Sequence, residues 1–85
     1  MGLIAIALGN YVLLTVTDGE EEIGGSIGLI VSMGKKYYLE SMGDAVSWPA
    51  SITIGDEVVL ADEDNLVHVT GDLYGTTASN VMCVV

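Results

Sequence analysis

The chain holds one histidine, His68, and one cysteine, Cys83. His68 stands in an alternating run between Val67 and Val69, with no nucleophile near it in sequence. It reads as a structural histidine rather than a general base. Cys83 lies in the apolar run Val81 to Val85 with no basic neighbour to lower its pKa, so a buried, inert thiol is expected. Glu20-Glu21-Glu22 gathers carboxylates in a glycine-rich stretch, which supplies no scaffold to fix the separation that acid–base hydrolysis needs. Asp62, Asp64 and Asn65 begin like a calcium loop. Such a loop needs glycine at its sixth place and glutamate at its twelfth, and Val67 and Leu73 stand there. Gly24-Gly25-Ser26-Ile27-Gly28 is a poor phosphate loop, since no Lys-Ser/Thr pair ends it and three glutamates precede it. No catalytic residue, metal-ligand set or cofactor is expected, and the chain reads as a non-enzyme.

Composition narrows the partners. Lys plus Arg number 2 and Asp plus Glu number 12, for a net charge of −10. A chain this acidic repels phosphate backbones and anionic lipid, which argues against nucleic-acid and membrane-surface roles. The apolar stretch Leu3 to Leu8 is too short to cross a bilayer. It also has no basic flank of a secretory signal, so a soluble intracellular protein is expected. With 51% hydrophobic and 16% charged residues in 85, the chain is a single folded domain over 1–85 rather than a disordered one. A domain of this size removes only about 60–65% of its unfolded surface from water, and its single cysteine permits no internal disulfide. Oligomerisation is the expected support.

The elements that would position any site are strands. No long window repeats apolar residues at helical spacing, Val and Ile are abundant, and Gly and Asp break the apolar runs. The runs are Ile4–Leu8, Tyr11–Thr17, Tyr37–Ser41, Glu57–Ala61, Leu66–Thr70 and Val81–Val85. Gly34-Lys35-Lys36 reads as a turn carrying every positive side chain, and Gly55-Asp56 opens the run after it. Trp48-Pro49 falls in a linker, because proline cannot sit in a central strand. Six or seven short strands at this spacing predict an all-β fold, a small barrel or sandwich. The terminal runs Ile4–Leu8 and Val81–Val85 carry no charge or proline, and such edges invite pairing with another chain. Ile4, Ile6, Leu8, Met82 and Val84 are the expected subunit-interface residues.

The segment Ile27-Gly28-Leu29-Ile30-Val31 is unusually apolar for the end of a solvated loop. It follows the acidic, glycine-rich stretch Asp18 to Ser26, which predicts a mobile loop over about 18–32. Reached through a flexible tether, such a segment docks in extended form into an apolar groove of a partner. Ordering it carries an entropic cost, so a single contact is weak. Several copies on one assembly raise the total through effective concentration.

In the order of its segments the chain resembles the GroES-type co-chaperonins, especially the divergent phage-encoded ones. Gly9-Asn10-Tyr11-Val12-Leu13-Leu14 is similar to the first barrel strand of that family. Asp18 to Ser26 with Gly28-Leu29-Ile30-Val31 resembles its mobile loop and apolar tripeptide. Tyr37 to Gly43, Ile52-Thr53-Ile54-Gly55-Asp56-Glu57-Val58-Val59-Leu60 and Asn80 to Val84 resemble its later strands. The resemblance implies a small β-barrel protomer in a homo-oligomeric ring, usually of seven, with terminal strands joining neighbours. It implies that the ring caps a GroEL-type, ATP-driven chaperonin in the cytoplasm, that of the bacterial host if the chain is phage-encoded. Ile27, Gly28, Leu29, Ile30 and Val31 would then bind the chaperonin's apical domains. Only Asp44 to Ser51 stands where the family often carries a roofing hairpin, which implies an open dome. The alternative is a structural β-barrel that assembles through its strands, a virion or decoration component, in which Ile27 to Val31 is an ordered core strand.

Overall fold

A computed structural model describes residues 5–23 and 29–85. The chain is all-β, and the six strands among the described residues form one antiparallel sheet. They are β1 (Tyr11–Ile23), β2 (Leu29–Met42), β3 (Glu57–Leu60), β4 (Val67–Thr70), β5 (Leu73–Thr77) and β6 (Val81–Val84), in the spatial order β4-β5-β1-β2-β3-β6. A short 3-10 turn, Ala78–Asn80, leads into β6.

The sheet buries one main face. Val12, Leu14, Tyr37, Leu39, Val58 and Leu60 form its core, and Val46, Trp48, Ile52 and Leu66 from the connecting segments pack over them. Val12 and Leu14 point inward with the two-residue period of a strand. Leu13 points the other way, where it packs with Ala7 and Leu73. A bulge opposite Leu13 and Leu14 resets the period on β2. Leu39 and Met42 therefore both reach the main core, although three residues apart. Ser41 instead turns to the second face and accepts a hydrogen bond from the Ala7 amide at 3.1 Å. Each fully buried leucine here, Leu14 and Leu39, contributes about 1.5–3 kcal/mol of transfer free energy.

Residues 8–9 cross close over Gly43. A Cβ at Gly43 would collide with the Gly9 carbonyl oxygen and the Leu8 carbonyl carbon. The crossing is fastened by Gly43 N–H to the Tyr11 carbonyl at 2.8 Å and Ala45 N–H to the Gly9 carbonyl at 2.9 Å.

Several expectations change on the structure. The sheet is not a closed barrel: β4 and β6 are its two edges among the described residues. Each edge strand is four residues long and meets its one neighbour across a bulge, too little regular ladder to close a shear-matched ring of strands. Asn80 joins the segments leading into the two edges instead. Its side-chain amide donates to the Asp62 carbonyl at 2.9 Å and Thr76 Oγ1 at 3.0 Å, and its carbonyl accepts from the Asp62 amide at 2.9 Å. Gly34-Lys35-Lys36 is not a turn but lies inside β2. Gly34 has φ 87° and sits at a bulge; the left-handed conformation that suggests a turn also serves a bulge. Residues 5–8 form no strand.

Candidate functional site

The two long strands outrun the sheet. β5 pairs with β1 only from Tyr11 to Thr15, and β3 pairs with β2 only at Tyr37 and Tyr38. One further hydrogen bond, from the Val16 amide to the Asp72 carbonyl at 3.0 Å, holds β1 to its neighbour. Beyond it, among the described residues, β1 and β2 pair only with each other as far as Ile23 and Leu29. The seven residues from Thr17 to Ile23 form an arm about 23 Å long at the usual strand rise. A two-stranded ribbon of this kind has little stability of its own.

The stretch read as a loop over 18–32 is thus a paired ladder through its described part. Leu29, Ile30 and Val31 stand on β2 at the outer end, opposite Ile23, Glu22 and Glu21. β-branched residues suit such a ladder, and loop composition masked that propensity in the sequence. Ile27 and Gly28 lie outside the described residues. At the root of the arm Asp18 and Lys35 are cross-strand partners, with Lys35 Nζ 3.1 Å from Asp18 Oδ1.

The expected interface residues fall on two separate surfaces. Met82 and Val84 are exposed on edge strand β6, which among the described residues pairs only with β3. Ile6 is 67% and Leu8 75% exposed, on the segment that packs through Ala7 against Leu13 and Leu73. Ile4 lies outside the described residues. Cys83 is exposed, contrary to the buried thiol expected from its apolar neighbours. The strand that carries it is an edge, and no described residue covers it.

A cleft of about 500 Å³ opens between the arm root and the turns at 62–66 and 71–72, lined by Asp18, Lys35, Tyr37, Glu63, Asp72 and Tyr74 among others. The buried Tyr37 ring ends in a hydroxyl that donates to Glu63 Oε1 at 2.7 Å. Burial, then the bond to Glu63 and the charges of Glu63 and Asp64, push the Tyr37 phenol up to about 12. Sequence reasoning missed this contact and the Asn80 clasp, because both join residues distant along the chain. His68 Nε2 lies 2.9 Å from the Gly71 carbonyl and the ring packs on Tyr74 at 5.1 Å, a structural role.

His68 and Cys83 stand on the two different edge strands, so the ladder gives them no common site. Among the described residues no group of three or more His, Cys, Asp or Glu is arranged to hold a metal ion. No helix among them is long and apolar enough to cross a membrane. No protein-family model matches the chain, and no curated protein is significantly similar to it.

Proposed function

We propose that this chain is a co-chaperonin of the GroES type, a ring-forming protein that caps an ATP-dependent chaperonin. The observation that carries the reading is the arm. It takes Leu29, Ile30 and Val31 beyond every strand of the sheet except their own partner β1. An extended apolar segment so displayed suits an apolar groove on a second protein. Each contact is weak, and a ring of about seven arms acting together supplies the affinity. ATP binding and hydrolysis belong to the partner.

Two unlike exposed surfaces support the ring. Ile6 and Leu8 are exposed on the segment before β1, and Met82 and Val84 on edge strand β6. Contacts between unlike patches are head-to-tail, and these close into rings when the rotation permits. Leu29→Asp and Ile30→Asp leave the ring assembled and abolish capture by a GroEL-type chaperonin in the presence of ATP. Unchanged capture by both variants rejects the assignment.

The second reading, a structural assembly protein, draws on the ladder itself, since Leu29 to Val31 is paired strand. Backbone relaxation of the free protein separates the two. Fast motion over 18–31 supports the co-chaperonin, and a rigid backbone there supports the structural protein.

A further inference from the structure

We propose that the outer edge of β4 takes up a short, basic, extended segment of a second protein as an added strand. Among the described residues β4 pairs only with β5, so one row of its backbone N–H and C=O groups faces outward. The side chains that blunt an edge are lysine, proline and inward-pointing charges, and Val67-His68-Val69-Thr70 holds no lysine, proline or carboxylate. All four residues are exposed, Val67 at 66% and Val69 at 42%. Three of the four are β-branched, which suits strand pairing. The edge is also held ready. Thr76 Oγ1 donates to the Asn65 carbonyl at 2.7 Å before the strand, and His68 Nε2 lies 2.9 Å from the Gly71 carbonyl after it. A surface fixed beforehand loses less freedom on binding.

Charge selects the occupant. Asp62, Glu63 and Asp64 stand exposed in the turn before β4, and Asp72 stands exposed in the turn after it, so carboxylates flank the edge at both ends. Glu63, Asp64 and Asp72 also line the cleft of about 500 Å³, where Lys35 is already paired with Asp18. A strand with lysine or arginine near its ends meets opposite charge at both. A second copy of this chain would bring the same carboxylates to the edge, and each copy carries a net charge of −10, so it is repelled. The other edge, β6, differs: Ala78 to Asn80 before it and Val85 after it carry no side-chain carboxylate. On β4, Val69 is an extra residue at a bulge opposite β5, which keeps an added ladder short. Backbone bonds give such a ladder its affinity, and the flanking charges choose its partner. This inference goes beyond the chaperonin reading and does not depend on it.

Amide chemical shifts of the full chain, titrated with the capped peptide Lys-Val-Thr-Val-Lys, test it. Saturable shifts are expected at residues 67–70, with intermolecular NOEs between peptide and β4 backbone protons. No saturable shift at millimolar peptide overturns the inference. Shifts confined to the cleft residues Asp18, Lys35 and Tyr74 also overturn it, since the peptide is then held as a loose cation and not as a strand. Backbone contacts to β6 in place of β4 do the same. The capped peptide Glu-Val-Thr-Val-Glu is expected not to bind, and equal binding by it overturns the basic partner. Replacing Asp64→Asn and Asp72→Asn together is expected to raise the Kd for the lysine peptide about threefold or more, as the loss of exposed ion pairs does, with the shifts of β1 and β2 unchanged. A Kd equal to wild type overturns charge as the selector.

Discussion

The Tyr37 hydroxyl donates a 2.7 Å hydrogen bond to Glu63 Oε1, linking the root of the arm to the acidic turn before β4. Tyr37 is a core residue whose polar end reaches the surface cleft. The bond therefore ties the place where β2 leaves the sheet to a turn 26 residues further along the chain.

Burial of the phenol, reinforced by this bond and the neighbouring carboxylates, makes stability sensitive to alkali. The phenol titrates near 12 in the folded chain and near 10 when unfolded. Its contribution is complete below about pH 10, where both states are protonated, and is lost as pH rises toward 12. About two pH units correspond to roughly 2–3 kcal/mol. Urea unfolding at pH 7, 10 and 11.5 should show wild type losing stability that Tyr37→Phe does not lose. At pH 7 the substitution itself should cost about 0.5–1.5 kcal/mol.

Asn80→Ala removes a side chain bonded to the Asp62 amide, the Asp62 carbonyl and Thr76 Oγ1. Partners left unpaired in a largely buried site cost about 1–3 kcal/mol. Hydrogen exchange should accelerate at the Asp62 amide in particular. Protection there equal to wild type would mean that water substitutes fully for the asparagine.

Gly43→Ala should be among the most damaging single-methyl changes in the chain, by about 1–3 kcal/mol or more, because backbone occupies the space the methyl needs. Gly75→Ala is the control. Its methyl would meet the Leu13 Cδ2 atom at 3.4 Å, an ordinary contact, so thermal unfolding should move little. Equal shifts in the two melting curves would contradict the crossing of residues 8–9 over Gly43.

Val84→Lys places a charge on the outer edge strand. Lysine on an edge opposes strand addition, so native mass spectrometry should show smaller assemblies than wild type, with the monomer's circular dichroism retained. An unchanged oligomer would remove β6 from the interface.

How far the sequence disclosed this architecture differs by element. β1 was legible at Tyr11–Thr17 and β3 at Glu57–Leu60, because apolar alternation and the Gly55-Asp56 break are local signals. The strand Val81–Val84 was also legible, from its unbroken apolar run. Three features were not. Gly34 in a left-handed conformation is compatible with a turn or a bulge, and only the pairing of Asp18 with Lys35 decides between them. The extension of β1 through Glu20-Glu21-Glu22 runs against the loop-like composition of that stretch. The open sheet and the exposure of Cys83 depend on which strands become edges, a property of topology rather than of any window of residues. Of the candidate site, Ile6, Leu8, Met82 and Val84 are exposed. The cleft and its Tyr37–Glu63 bond are long-range and carry no local signature.

Both cations of the chain, Lys35 and Lys36, stand side by side on β2 at the base of the arm. The carboxylates elsewhere have no lysine or arginine among them, and identical copies, each with a net charge of −10, repel one another as they approach. Dissolved ions shield such repulsion, with a reach of about 30 Å at 0.01 M salt but only about 8 Å at 0.15 M. Dilute buffer should hold the protein as separate chains, and adding sodium chloride alone should draw them together.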